Sequence, residues 1–110
     1  PASPEAGRYP GEMDRVPSEA VTLAGVRQNI DSLDRRIVRL IAERQQWVVR
    51  AGSLKTDEQA VRAPARVEQV IAKVRALAEE AGASPEVVEA AYRALVSAFI
   101  ELELDHHRSE

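Results

Sequence analysis

Between Leu23 and Leu54 apolar side chains recur at alternating intervals of three and four: Leu23, Val26, Ile30, Leu33, Ile37, Leu40, Trp47, Ala51 and Leu54. Arg44 occupies the one place where this rhythm calls for an apolar residue and meets a guanidinium. Such spacing is the seam of an amphipathic helix, and the charges Asp31, Arg35, Arg36, Arg39, Glu43 and Arg50 fall outside it. Thr22 supplies a hydroxyl that can cap the first turn. A helix from about Thr22 to Leu54 is roughly 50 Å long. One chain of 110 residues cannot cover that much apolar stripe, so the seam predicts a second copy.

Two shorter helices follow a polar linker, Lys55 to Gln59. The second begins near Pro64, carries Val67, Val70, Ile71, Val74, Leu77, Ala78 and Ala81 on one face, and stops at Gly82. Ser84-Pro85-Glu86 opens the third with a capping hydroxyl, a proline that needs no amide donor and an acid at the positive dipole end. Its stripe, Val88, Tyr92, Leu95, Val96, Phe99 and Leu102, runs out near Asp105. Residues 1–17 hold four of the six prolines and no apolar period, and read as a tail before a helical domain over 18–110. The expected fold class is all-α, one long and two shorter helices per chain.

Several function classes drop out. A net charge of −3 lacks the basic stripe of a nucleic-acid binder. The absence of cysteine removes disulfide scaffolds, thiolate zinc sites and thiol nucleophiles. No apolar run suffices to cross a bilayer, and no charged-then-apolar leader is present, so the expected location is the cytoplasm. His106 and His107 are adjacent and point to different helix faces, which does not suit chelation. No glycine-rich phosphate loop or Ser–His–Asp set is present, and neither cofactor nor metal is expected.

The polar residues at apolar places are the informative ones. A guanidinium in the seam must be compensated, because an unpaired buried charge costs several kcal/mol. Either Arg44 snorkels or pairs internally, or it awaits a carboxylate or phosphate that its fork can grip twice. Lys55, one of two lysines against thirteen arginines, lies three turns further on the same side. Arg66 stands in the first turn of the second helix, where a solvated surface charge is the simpler reading. Arg27 flanks the seam 17 residues before Arg44, roughly 25 Å along the axis, so the two cannot hold one small ligand within a single helix. An antiparallel partner in a closed two-fold dimer would bring its own Arg27 toward this Arg44. Glu103 falls at the edge of the third helix's apolar face, where a carboxylate ordinarily reaches solvent.

The ordered set of these residues resembles the all-helical chorismate mutase family, and within it the isochorismate-pyruvate lyase branch. Val26-Arg27-Gln28-Asn29-Ile30-Asp31-Ser32-Leu33-Asp34 is similar to the family's opening motif, Ala42-Glu43-Arg44 and Lys55 follow at its spacing, and Ala63-Pro64-Ala65-Arg66-Val67 resembles the lyase branch's entry to the second helix. The resemblance covers about residues 22–105. It implies an intertwined homodimer whose two sites each combine one protomer's three helices with the other's first helix. It further implies a small enolpyruvyl dicarboxylate as substrate, with Arg44 and the partner's Arg27 on the carboxylates, Lys55 on a carboxylate and the ether oxygen, and Arg66 in the cationic wall. Glu103 stands where many members have a glutamine that donates to the ether oxygen. An ionised carboxylate there would repel the developing oxyanion, whereas a protonated one would donate to it.

The implied reaction is the rearrangement of chorismate to prephenate, with the lyase reaction, isochorismate to salicylate and pyruvate, as the alternative. It needs no nucleophile, metal or cofactor, only a held reactive conformer and donors on the breaking C–O bond. A million-fold acceleration requires about 8 kcal/mol. Three departures from the family pattern stand out: Val67 and Ala63 stand where many mutases carry acids, which resembles the lyase branch and bears on the substrate, and Phe99 replaces a serine. An aminodeoxychorismate mutase is a further alternative, disfavoured because position 67 offers no acid to an amino group. The non-enzymatic alternative is a helical dimerisation module.

Overall fold

The computed structural model describes residues 21–109, so the expected tail at 1–17 and the domain start at 18 lie outside the described residues. The elements are α1 (Leu23–Ser53), α2 (Glu58–Arg62), α3 (Pro64–Ala81) and α4 (Pro85–Ser109), with no strand among the described residues. The chain divides within α1 into two units, one ending at Glu43 and one starting at Arg44.

In the first unit, Thr22 caps α1 as its hydroxyl predicts: Oγ1 accepts from the Gly25 amide at 2.9 Å. The seam residues Leu23, Ile30, Leu33, Ile37 and Leu40 are all about half exposed or more. The apolar stripe of this unit is therefore exposed among the described residues.

The second unit holds the core: Val61 of α2, Ile71, Val74 and Ala78 of α3, and Phe99 and Leu104 of α4. α4 packs against both α3 and α2. It therefore needs two apolar faces, and Leu104, fully buried, lies on the one that the periodic stripe omits. In the stretch read as merely polar, α2 begins, a helix of five residues whose N-cap Asp57 accepts from the Ala60 amide at 2.8 Å. A single turn leaves too few residues to display a helical period, which is why the sequence conceals it. α4 also continues past Asp105 to Ser109, where His106, His107 and Arg108 suit the negative end of the dipole.

The helix ends follow local chemistry. Gly82 closes α3 in the left-handed region (φ 80°), and Ser84 Oγ accepts from the Val87 amide at 3.2 Å to open α4. Ala63 is the exception: it joins α2 to α3 at φ 35°, ψ 62°, a left-handed conformation taken by a residue with a Cβ. On the surface, Arg93 forks onto Glu68 of α3 at 3.0 Å and meets Glu89 at 2.7 Å. Hydrogen bonds from Arg93 hold both carboxyl groups below their ordinary range, with Arg75 adding to the effect on Glu89. These exposed pairs fix how α3 lies on α4 more than they add stability.

Gly82→Ala places a Cβ in the left-handed region and is expected to cost about 1 kcal/mol. Ala63→Gly relieves a similar strain while loosening the unfolded chain, for a net gain of roughly 0.5 kcal/mol. Urea unfolding midpoints should accordingly move in opposite directions, and a loss in both variants would contradict strain at Ala63.

Candidate active site

A cavity of about 300 Å³ opens in the second unit among the end of α1, α2, the start of α3 and the middle of α4. Four cations line it: Arg44, Lys55, Arg62 and Arg66. Glu103 is the one carboxylate in its wall, and Val61, Val67, Val70 and Phe99 supply apolar surface. The volume sits at the small end of ligand pockets, suited to a compact metabolite.

Arg44 is half-buried, and its guanidinium carbon lies 5.4 Å from the Phe99 ring centroid and 5.8 Å from that of Tyr92. Aromatic faces attract the cation without neutralising it. No carboxylate pairs with Arg44 among the described residues. The internal salt bridge considered from sequence is therefore not the arrangement found, and both edges of the fork keep their donors for an anion.

Lys55 lies just beyond the end of α1, and its Nζ donates to Glu103 Oε2 at 3.1 Å. Glu103, read from sequence as a boundary carboxylate, is only 6% exposed. Its burial depends on Gly52. A Cβ built on Gly52 would stand 2.6 Å from Glu103 Oε2 and 3.3 Å from its Cδ and Cγ. The bare backbone of α1 thus provides the slot for the carboxylate. A second cavity of about 160 Å³ lies behind the pair, lined by Gly52, Ser53, His106 and His107, with Lys55 and Glu103 common to both.

Arg66 is exposed on α3, donates to Gln69 Oε1 at 3.3 Å, and still contributes to the cavity wall. Of the five residues singled out from sequence, Arg44, Lys55, Arg66 and Glu103 share this cavity. Arg27 is exposed on α1 and does not line it. Sequence reasoning passed over Arg62 and Gly52. Arg62 closes α2, an element without a periodic signature, whereas a glycine inside an otherwise helical pattern is itself a recognised sign of close packing. Among the described residues no three potential metal ligands come together, and no helix is long and apolar enough to cross a membrane.

The family model described as chorismate mutase type II matches residues 26–104. Isochorismate pyruvate lyase of Pseudomonas aeruginosa is 29% identical over 94 residues, which span 86% of this chain and 93% of that protein.

Gly52→Ala should drive the Glu103 carboxylate from its slot and destabilise the protein by about 1–3 kcal/mol, the usual cost of overpacking. In a Glu103→Ala background the same change is expected to turn neutral or favourable, because alanine is the better helix former once the obstacle is gone. A double-mutant cycle by chemical denaturation reads this reversal, and an unchanged penalty in that background would refute the slot.

Proposed function

We propose, on the premise that this chain belongs to the chorismate mutase type II family, that its cationic cavity holds an enolpyruvyl-bearing cyclohexadiene dicarboxylate and promotes its pericyclic C–O cleavage. The substrate class is a compact dianion, and four cations against one carboxylate line the wall. Arg44, held by ring faces, grips one carboxylate through its fork, and Arg62 and Arg66 extend the positive wall. The Lys55 ammonium donates one N–H hydrogen bond to Glu103 and keeps two N–H donors for a substrate carboxylate and the ether oxygen. Charge grows on that oxygen as its bond to the ring lengthens, so a fixed ammonium there stabilises the transition state more than the ground state. No covalent intermediate is required. The protein's work is to hold the folded conformer and to keep cations aimed at the oxygen.

The lyase reaction on isochorismate is the version this cavity supports best. Ala63 and Val67 line it; by the family resemblance an acid at position 67 would meet the ring hydroxyl of chorismate and Ala63 replaces a loop acid, and the lyase relative matches nearly end to end. In that reaction a ring hydrogen passes to the enolpyruvyl methylene as the ether bond breaks, giving salicylate and pyruvate with atoms conserved. Rearrangement of chorismate to prephenate is the second reading. It rests on the family match and uses the same cage.

The site is completed by a second copy. The exposed stripe of α1 supports a two-fold dimer in which the partner's Arg27 reaches the remaining carboxylate.

Offered separately, isochorismate is expected to yield salicylate fluorescence, with chorismate turned over more slowly. Prephenate from chorismate without salicylate from isochorismate would instead select the mutase, and turnover of neither by folded protein would refute the enzymatic reading.

Arg27→Ala and Arg44→Ala are each expected to lose 10²-fold or more in kcat/KM, the scale of one lost charge-stabilising donor. Unfolded together and refolded, they should recover about a quarter of wild-type activity, because half the dimers are mixed and each has one intact site. No recovery would contradict a shared site.

A further inference from the structure

Glu103 and His107 stand one turn apart on the same face of α4, and both act on Lys55. Glu103 takes the ammonium at 3.1 Å, while His107 Nε2 lies 3.0 Å from the Lys55 carbonyl oxygen. A carbonyl only accepts, so Nε2 carries the hydrogen, as it does in one neutral tautomer and in the imidazolium alike. Lys55 lies in the break between α1 and α2, and among the described residues no backbone amide meets its carbonyl. The imidazole thus satisfies a linker carbonyl that would otherwise lack a protein partner among the described residues.

The next residue reinforces the hold. Arg108 forks onto Glu58, the first residue of α2, with Nε at 2.9 Å from Oε2 and a second guanidinium nitrogen at 3.1 Å from Oε1. Hydrogen bonding and charge from Arg108 keep that carboxyl below its ordinary range. The last turn of α4 therefore touches the chain at residue 55 and again at residue 58, spanning the segment that carries the lysine.

We propose that His107 is a positioning residue for Lys55. Its hydrogen bond fixes the lysine backbone, while Glu103, one turn earlier on the same helix, fixes the tip. A lysine has a long flexible stem, and a wandering backbone adds to the volume its ammonium explores. A displacement of about 1 Å at a reacting group can cost up to 10²-fold in rate. The inference rests on the reading of Lys55 as the donor to the breaking ether, but the clamp itself is a structural fact open to separate measurement.

The experiment combines kinetics with two readouts on the unliganded protein: the 15N shifts of the His107 ring and amide exchange over residues 54–58. His107→Ala is expected to lower kcat about tenfold with KM within about twofold. His107→Gln, whose amide can donate to the same carbonyl, should restore most of kcat and the slow exchange. His106→Ala, the exposed neighbour without this bond, should leave kcat within about twofold. Wild-type kcat in His107→Ala, or a His107→Gln variant as impaired as His107→Ala, overturns the proposal. Should His107→Ala not fold, a tenfold loss in His107→Gln or an Nδ1–H tautomer in the wild type overturns it. If the wild type converts neither isochorismate nor chorismate, the functional reading falls, whereas the tautomer and the exchange still decide the clamp.

Discussion

The Lys55 ammonium and the Glu103 carboxylate meet at 3.1 Å, with the carboxylate almost wholly removed from water and lying against the bare backbone of Gly52. Taking a carboxylate out of solvent costs several kcal/mol, and a single ion pair offsets this only when the geometry is held. Three features hold it. Gly52 gives room on α1, α4 carries Glu103 in its buried face, and the last turn of α4 holds the Lys55 carbonyl and the Glu58 side chain that opens α2. The pair also separates the larger cavity from the smaller one behind it, so its position defines the floor of the proposed site.

Around that floor the other cations are kept unneutralised. Arg44 illustrates how. A carboxylate partner would have solved its burial and removed its use, whereas the Phe99 and Tyr92 rings steady the guanidinium by their faces and leave its hydrogen-bonding edge unspent. The surface arginines show the opposite treatment. Arg75, Arg93 and Arg108 are each committed to glutamates, and serve to set one helix against another. Arg75, Arg93 and Arg108 are thus satisfied by protein carboxylates, whereas Arg44, Arg62 and Arg66 line the cavity without one among the described residues.

What could be read from the sequence follows the range of the interactions concerned. Helices α1, α3 and α4 were legible because each repeats its apolar period over several turns and carries local punctuation at Thr22, Gly82 and Ser84, all of which act as that chemistry dictates. Arg44, Lys55, Arg66 and Glu103 were legible as departures from those periods, and the cavity brings them together. α2 was not legible, since five residues cannot show a period, and with it went Val61, Arg62 and the reason for burying Leu104. His107 acts through a contact 52 positions away in the chain, which no local pattern encodes, whereas Gly52, a glycine inside a helical pattern, signals close packing without revealing its partner, Glu103, 51 positions on.

The seam and the cage belong to one argument. Along α1 the stripe leaves Leu23, Ile30, Leu33, Ile37, Leu40 and Trp47 about half exposed or more. Burying such a side chain from full exposure is worth about 1.5–3 kcal/mol, so covering the exposed half of each in the proposed two-fold assembly contributes about 1 kcal/mol or more per residue. Arg44 occupies a seam position within that stripe. Covering the seam excludes water around its guanidinium, which raises the desolvation cost of an unpaired cation and strengthens any charge-assisted bond it then forms. A dianion entering the cavity offsets that cost, and a neutral molecule of the same shape cannot. Dimerisation in this scheme sharpens discrimination for charge as it completes the site, and a single helix carries both functions because the residue that spoils its apolar rhythm is the one that meets the substrate.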